Sequence, residues 1–241
     1  MITPKDIEKK TMSEKKKAEA KNSIWGFYIG RPITYVLTIP FLYTNISPNT
    51  VTWFSIISIC IAYYMLSIAN NTPMRLLGLF FIFLWSMGDG IDGNIARYKN
   101  IKSSKGDLLD TLGGYLAIVV VILGMGNMAY NDPNSHLFIS KKMIMELASI
   151  SAVATLIPRI LMHRKLALEK DITETNKLRD KESYGLLKIV ALNICDPAGF
   201  QEHIVLLAIL FHLGTEFTIF YLIINVGIMI YSIRSMIKES L

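Results

Sequence analysis

Two long apolar runs, joined by a short polar segment, hold several aspartates in the middle of the chain. The first run covers residues 76–98 and contains Asp89 and Asp92. The second covers residues 106–128 and contains Asp110. Each run is long enough to cross a bilayer as an α-helix. Because ionisable side chains at membrane depth are costly and clustered carboxylates repel one another, the runs predict two membrane helices whose carboxylates need a counter-cation.

Helical spacing brings these carboxylates together. Asp89 and Asp92 are three residues apart, so they lie on one helix face. Asp107, Asp110 and Gly114 share a face of the second helix in the same way. Because the polar segment is short, the two helices form an antiparallel hairpin. At about 1.5 Å rise per residue, Asp89 and Gly114 both reach roughly 13 Å from the polar segment.

The hairpin places three carboxylates near one depth, close to a membrane face: Asp89, Asp92 and Asp110. Oxygen ligands of this kind suit hard divalent cations such as Mg²⁺, Mn²⁺ or Ca²⁺. The spacing therefore predicts a cation site. The alternative is an ion-pair network that only ties membrane helices together.

The same residues form a recognisable pattern, Asp89-Gly-Ile-Asp92-Gly93-Asn-Ile-Ala96-Arg97, then eight residues, Gly106, three residues and Asp110. This pattern resembles the signature of the CDP-alcohol phosphotransferases. Those are integral membrane enzymes that move a substituted phosphoryl group from a CDP-alcohol to an acceptor and release CMP. The family pattern has a fourth aspartate, understood as general base and metal ligand, where this chain has Gly114.

The resemblance implies a role for each matching residue. It assigns the metal, Mg²⁺ or Mn²⁺ in a two-metal site, to three ligands: Asp89, Asp92 and Asp110. It assigns nucleotide binding to Asp92, Gly93, Ala96, Arg97 and Gly106. Small residues let a nucleotide approach the backbone, although they also suit tight helix packing. A guanidinium can grip phosphate bidentately, or it can snorkel to the interface.

Three further charged residues are open to more than one interpretation. Asp107 and Asp110 are the candidates for a catalytic base in place of the missing aspartate. Asp107 is also placed to complement the dipole of its helix, or to be a further ligand. Arg159, predicted within a later span below the cytoplasmic surface, is a candidate partner for a substrate phosphate, with snorkelling as the alternative.

The rest of the chain fits an integral membrane protein. Apolar residues make up 52% of the sequence, and the mean hydropathy is +0.40. We expect an all-α fold, with residues 1–45 as a basic cytoplasmic tail and interfacial amphipathic helix, and residues 46–241 as a six-helix membrane domain. Ser47 is predicted to cap the first span. The six predicted spans are 51–69, 74–98, 106–128, 143–162, 200–213 and 217–236.

The charge distribution predicts the orientation. With six spans, 22 of the 25 Lys and Arg residues lie on one side of the membrane. The exceptions are Arg75, Lys141 and Lys142. Since basic residues concentrate in cytoplasmic segments, both termini and the carboxylate cluster are expected to face the cytoplasm of a cell-membrane protein.

The resemblance implies a transferase that moves a phosphatidyl group from CDP-diacylglycerol to an unknown acceptor, in phospholipid or related biosynthesis. The alternatives are a non-catalytic CDP-lipid or nucleotide-binding relative, disabled at Gly114, and a cation transporter. Transport lacks support, since the later spans offer no matching carboxylates and there is no inverted repeat. The expected partners are the CDP-alcohol, the acceptor and the bilayer, without nucleic acid; a homodimer is left open.

Overall fold

The structure is a computed structural model, and it describes residues 1–136, 139–168 and 185–238. Across these residues the chain forms α-helices and one π-helical turn, Gly26–Gly30, without a strand. The helices are α1 (Pro4–Thr11), α2 (Glu14–Ala20), α3 (Arg31–Leu42), α4 (Pro48–Ile68), α5 (Thr72–Tyr98), α6 (Ser104–Asn131), α7 (Lys141–Leu168), α8 (Leu186–Ile194), α9 (Phe200–Leu210) and α10 (Gly214–Lys238).

The prediction of an all-α membrane protein is confirmed. Five helices, α4 to α7 and α10, are long and apolar enough to cross a membrane. The predicted span at 200–213 contains α9, an apolar helix of only 11 residues. At about 1.5 Å per residue it is much shorter than a hydrocarbon core of about 30 Å. The predicted count of six spans is therefore not confirmed.

The start of α4 follows from its capping residues. The backbone N–H of Thr50 donates to Ser47 Oγ at 3.2 Å, and Pro48 occupies the first helical position. Such a cap satisfies a donor that has no partner within the helix. The predicted cap at Ser47 is thus confirmed.

Shorter helical segments lie before α4 and between α7 and α9. The predicted interfacial helix corresponds to the π-helical turn and α3, and its position at a membrane surface stays a prediction. The polar and charged segment at 171–188 lies mostly outside the described residues. Its last residues begin α8, which sequence reasoning did not predict. The polar residues with a proline at 193–199 are typical of a loop, and α8 extends into the first two of them.

Packing divides the chain into two compact units, each made of three segments of the sequence. The first contains the described parts of Met1–Ala62, Leu79–Ala117 and Lys181–His203. Helix α3 packs closely on α5 in this unit, because a Cβ at Gly90 would lie 2.6 Å from Thr34 Cγ2. The Asn193 amide also joins α8 to the N-terminal segment, donating to the Asn22 carbonyl at 2.7 Å. The predicted boundary at residue 45 describes membrane position and stays a prediction.

The second unit contains the described parts of Tyr63–Gly78, Ile118–Asp180 and Ile204–Leu241. Helices α7 and α10 pack against each other, and Asn225 Nδ2 donates to Ser151 Oγ at 3.0 Å between them. Such amide and hydroxyl pairs are typical of helix contacts within membranes. Asn127 of α6 likewise donates to Ser67 Oγ of α4 at 2.8 Å.

Candidate functional site

The last turns of α5 and the first turns of α6 hold the predicted carboxylates. These helices are joined by residues 99–103, so the predicted short connection is confirmed. Asp92 is buried, Asp89 is half-buried and Asp110 is exposed. The cluster therefore runs from the protein interior to its surface, as a site open to a ligand requires.

Helix α4 holds the most buried carboxylate in place. The Thr52 hydroxyl donates to Asp92 Oδ2 at 2.6 Å. Both side chains are buried, with exposed fractions of 5%. A hydrogen bond from a neutral hydroxyl orients a carboxylate but does not balance its charge. Thr52 thus fixes Asp92 and leaves its charge available to a cation.

The other two ligand candidates contact each other. The carboxyl groups of Asp89 and Asp110 lie close enough to act on each other directly. The negative charges of Asp92 and Asp196 also act on Asp89. Since like-charged carboxylates cannot approach without a proton or a cation between them, this arrangement favours a bound cation.

The donor atoms fit a hard divalent ion, but they are not arranged around one point. Within the described ranges, no group of three or more His, Cys, Asp and Glu side chains is placed so that it could hold a metal ion. The oxygen-only chemistry of the cluster suits Mg²⁺ or Mn²⁺. The ligand assignment to Asp89, Asp92 and Asp110 remains a prediction.

Arg97 lies across the small residues of the signature. A Cβ at Gly93 would be 2.9 Å from Arg97 Nη2, so the guanidinium lies over the bare backbone of this glycine. Arg97 Nη2 also donates to Asn94 Oδ1 at 3.2 Å. The Asn94 amide in turn donates to Thr38 Oγ1 of α3 at 3.2 Å. Helix α3 therefore helps to orient the arginine predicted to bind phosphate.

A second arginine accompanies Arg97. Arg31, at the start of α3, lies close enough to Arg97 for the two positive charges to repel. Asp92 and Asp110 attract Arg97. Two guanidiniums beside each other favour an anion with several oxygens, such as a phosphate. Sequence reasoning counted Arg31 only as a cytoplasmic charge, because its place beside Arg97 depends on how α3 packs.

The beginnings of α4 and α6 approach each other at Gly106. A Cβ at this position would lie 3.1 Å from Asn49 Oδ1, so a larger residue would crowd the start of α4. The assignment of Gly106 to nucleotide binding stays a prediction. Ala96 is half-buried on α5, and no contact given for it tests its proposed place beside a nucleotide.

The position of the missing fourth aspartate is open. A Cβ at Gly114 would meet no atom within 4 Å, whereas one at Gly113 would contact Ile56 at 3.5 Å. Gly114 is therefore not needed for tight packing. An aspartate side chain would enter free space there without displacing a neighbour, and the absence of a carboxylate leaves room for a substrate group.

Asp107 lies in the first turn of α6 and is exposed. This position is the one where a negative charge complements the helix dipole. Its charge also acts on Asp110. The structure leaves its three predicted roles open: catalytic base, dipole partner or further metal ligand.

Arg159 belongs to the second unit, whereas the carboxylates belong to the first. Its Nη1 donates to the Thr155 carbonyl at 2.9 Å and to Thr155 Oγ1 at 3.1 Å. The guanidinium therefore turns back along its own helix. Its predicted contact with a substrate phosphate stays a prediction.

Sequence reasoning missed one carboxylate of the first unit. Glu202 lies in α9, is 8% exposed and lies close to Ser86 of α5. We expected no matching carboxylate in the later spans, and this expectation did not take Glu202 into account. A single acidic residue inside the predicted apolar span at 200–213 was a signal that could have found it.

The comparisons with known proteins extend over most of the chain. A model of the CDP-alcohol phosphatidyltransferase family matches residues 45–231. The matched range covers every signature residue from Asp89 to Asp110. A comparison with curated proteins finds no match.

Proposed function

The chain belongs to the CDP-alcohol phosphatidyltransferase family, and on that premise we propose that it moves a phosphatidyl group from CDP-diacylglycerol to an acceptor. The observation that supports this reaction most is the carboxylate cluster of α5 and α6 within the matched range. The reaction places the protein in phospholipid or related biosynthesis, with the lipid donor entering from the bilayer.

Asp89, Asp92 and Asp110 would hold Mg²⁺ or Mn²⁺. When bound, the metal neutralises the pyrophosphate and stabilises the departing phosphate. Thr52 keeps Asp92 in one orientation, and the contact between Asp89 and Asp110 keeps these two carboxylates together. The protein's contribution would be to supply three oxygen-bearing side chains from two neighbouring helices, which would have to converge when the metal binds.

Arg97 would bind a phosphate of the CDP-alcohol, with Arg31 as a second cation beside it. Asn94 and Gly93 fix the position of Arg97, the first by a hydrogen bond and the second by leaving space. Guanidinium forks match phosphate oxygens bidentately. Gly93 therefore serves nucleotide binding through the arginine that lies over it.

In the transfer step, an acceptor oxygen forms a bond to the phosphorus of the phosphatidyl group. The bond from that phosphorus to the bridging oxygen breaks, and its electron pair leaves with CMP. An acceptor whose oxygen is already ionised, such as a phosphate or phosphonate, needs no base. For an alcohol acceptor, Asp107 or Asp110 takes the proton, since Gly114 offers none.

A non-catalytic CDP-lipid-binding protein is the second candidate, and the open position at Gly114 favours it. Purified protein with CDP-diacylglycerol and Mn²⁺ separates the two in an acceptor screen that measures CMP release. Release that depends on an acceptor supports the transferase. Binding without release from any acceptor supports the second candidate.

Gly114→Asp sharpens that experiment, because the open space accepts the side chain. If the native protein is active, we expect the added carboxylate to abolish transfer to its special acceptor. If the native protein is inactive and the variant gains activity, the native chain is a binding protein that lost its base.

The site and both termini are proposed to face the cytoplasm, from the distribution of Lys and Arg. Ser103→Cys, in a chain whose Cys60 and Cys195 are changed to Ser, tests this orientation. An impermeant thiol reagent added to intact cells should leave position 103 unlabelled and should label it after the cells are opened. Efficient labelling in intact cells would reverse the orientation.

A further inference from the structure

Glu202 is a buried carboxylate whose hydrogen bonding is incomplete. Its side chain is 8% exposed, and within the described part of the chain its Oε1 has no hydrogen-bond partner. The Ser86 side chain lies close enough to act on its carboxyl group. A buried acceptor without a donor costs free energy, and a buried carboxylate costs much more. The fold therefore keeps a side chain whose burial costs free energy.

The surroundings of Glu202 do not neutralise it. Among the described residues, the one charged group that acts on it is Asp196, which is also negative. The neighbouring Gln201 is 3% exposed, and its Oε1 lacks a partner in the described ranges as well. This turn of α9 thus presents hydrogen-bond acceptors and excess negative charge. A ligand group that matches both would be a positively charged hydrogen-bond donor.

Aromatic packing fixes this turn of α9. The Trp25 ring lies 3.9 Å from the His203 ring and 6.4 Å from the Phe200 ring, measured between centroids. Residues directly before and after Gln201 and Glu202 are therefore anchored to the N-terminal segment. A ligand group would meet a preformed pair of side chains instead of having to order them.

Glu202 also lies beside the proposed reaction centre. Its partner Ser86 is one helical turn before Asp89 on α5. Asp196 acts electrostatically on both Glu202 and Asp89. Gly114, at the predicted depth of Asp89, leaves open space in the same unit. Glu202 therefore acts on α5 at a position one helical turn from Asp89.

We propose that Glu202, supported by Ser86, binds a protonated amine of the acceptor and so selects amine-bearing acceptors. This inference rests on the proposed transferase function. The ammonium group would donate to the free Oε1 and offset the charges of Glu202 and Asp196. Glu202 is thus a residue that determines acceptor specificity, separate from the signature carboxylates.

The test compares two small acceptors of equal length, 2-aminoethanol and 1,2-ethanediol, which differ by one amine. Full-length protein, Glu202→Gln and the control Glu216→Gln are each assayed for CMP release from CDP-diacylglycerol with Mn²⁺. Glu216 is a matched control, since it lies in an apolar helix and its Oε2 also lacks a partner in the described residues. A second readout is the shift in unfolding temperature that each compound causes.

We expect 2-aminoethanol to have the lower KM and to raise the unfolding temperature of the native protein and of Glu216→Gln. Glu202→Gln should raise the KM for the amine at least about 30-fold, the loss typical of a broken buried charge pair. The KM for the diol and the affinity for Mn²⁺ should not change. Ser86→Ala should also weaken amine binding. This variant replaces Glu202→Gln in the test if Glu202→Gln does not fold.

Three results would overturn the inference: equal use of both compounds by the native protein, an unchanged response to the amine in Glu202→Gln, or loss of Mn²⁺ binding in that variant. If no acceptor gives CMP release, the proposed function fails. The unfolding-temperature shifts then decide the inference alone, because amine binding by Glu202 is detectable without turnover.

Discussion

Two groups of charged side chains differ in how far neighbouring residues balance their charge. Near the start of α5, Arg75 is buried and its Nη1 donates to Asp132 Oδ2 at 2.8 Å. His212 Nδ1 lies 2.9 Å from the same oxygen, and the backbone N–H of Asn134 donates to Asp132 Oδ1 at 3.0 Å. In this first group, a cation and several donors surround the one carboxylate.

The second group, near the end of the same helix, is left unbalanced. Asp89, Asp92 and Asp110 are close together, and Arg97 is the one signature cation among them. From this difference we infer separate roles for the two groups. A matched buried pair ties elements together, whereas an excess of one sign is kept where a ligand of the other sign binds.

Breaking the matched group should have the largest effect on stability. Arg75→Met leaves Asp132 buried without its cation, which typically costs about 3–5 kcal/mol of unfolding free energy. Unfolding of the purified protein measures this loss, and Arg75→Met with Asp132→Leu should recover most of it. The control Lys142→Met removes an exposed partner 3.8 Å from Glu146 and should cost less than about 1 kcal/mol. Equal losses in both variants would contradict the comparison.

Removing a carboxylate from the unbalanced group should affect binding instead. Since even residues that only support a ligand contribute about 10–100-fold to metal affinity, Asp89→Asn should lower Mn²⁺-dependent nucleotide binding at least about 100-fold. Its unfolding free energy should not fall, because like charges are relieved. Nucleotide titration with and without Mn²⁺ measures this, with the exposed Glu146→Gln as control. Unchanged metal-dependent affinity would remove Asp89 from the site.

A smaller effect is expected from the residue that orients Asp92. Thr52→Val keeps the side-chain shape and removes the hydroxyl, so Asp92 loses a hydrogen bond within a buried site. We expect about tenfold weaker Mn²⁺ binding. Thr218→Val is the matched control, since Thr218 is buried and its hydroxyl donates only to the Gly214 carbonyl, at 2.9 Å. A similar loss in both variants would show a general packing effect.

The smallest effect concerns acid. Burial opposes ionisation of Asp132, but the hydrogen bonds from Asn134, His212 and Arg75 outweigh it and lower the pKa of this carboxyl below its ordinary value of 3.8. A lowered native pKa contributes stability above the ordinary value, and this contribution is lost as the pH falls through the lowered pKa. Between about pH 5 and pH 3, the native protein should therefore lose more unfolding free energy than Asp132→Asn. Parallel losses would show that Asp132 is not the responsible group.

The sequence predicted those parts of the fold that depend on neighbours along the chain. Long apolar runs gave the five long helices, and Ser47 with Pro48 marked the start of α4. The short connection between α5 and α6 followed from a few polar residues. Capping and hydropathy depend on residues that are close together in the chain. Both can therefore be identified from the sequence alone.

The parts that were not predicted depend on contacts between distant residues. Arg31 reaches Arg97 only because α3 packs on α5 at Gly90. Glu202 meets Ser86 across more than a hundred residues of sequence. The Arg75–Asp132 pair likewise spans 57 residues. Periodicity reports which face of a helix is apolar, but it does not report which helix lies against that face.

The open space at Gly114 gives this protein a means of being inhibited selectively. A protein with the aspartate of the family signature at this position would have a charged side chain in that volume. A nucleotide analogue with a short apolar branch directed at position 114 would fit this chain and would meet steric and electrostatic resistance from such an aspartate. The missing carboxylate thus defines a volume that an inhibitor could use to distinguish this protein from one that carries the aspartate.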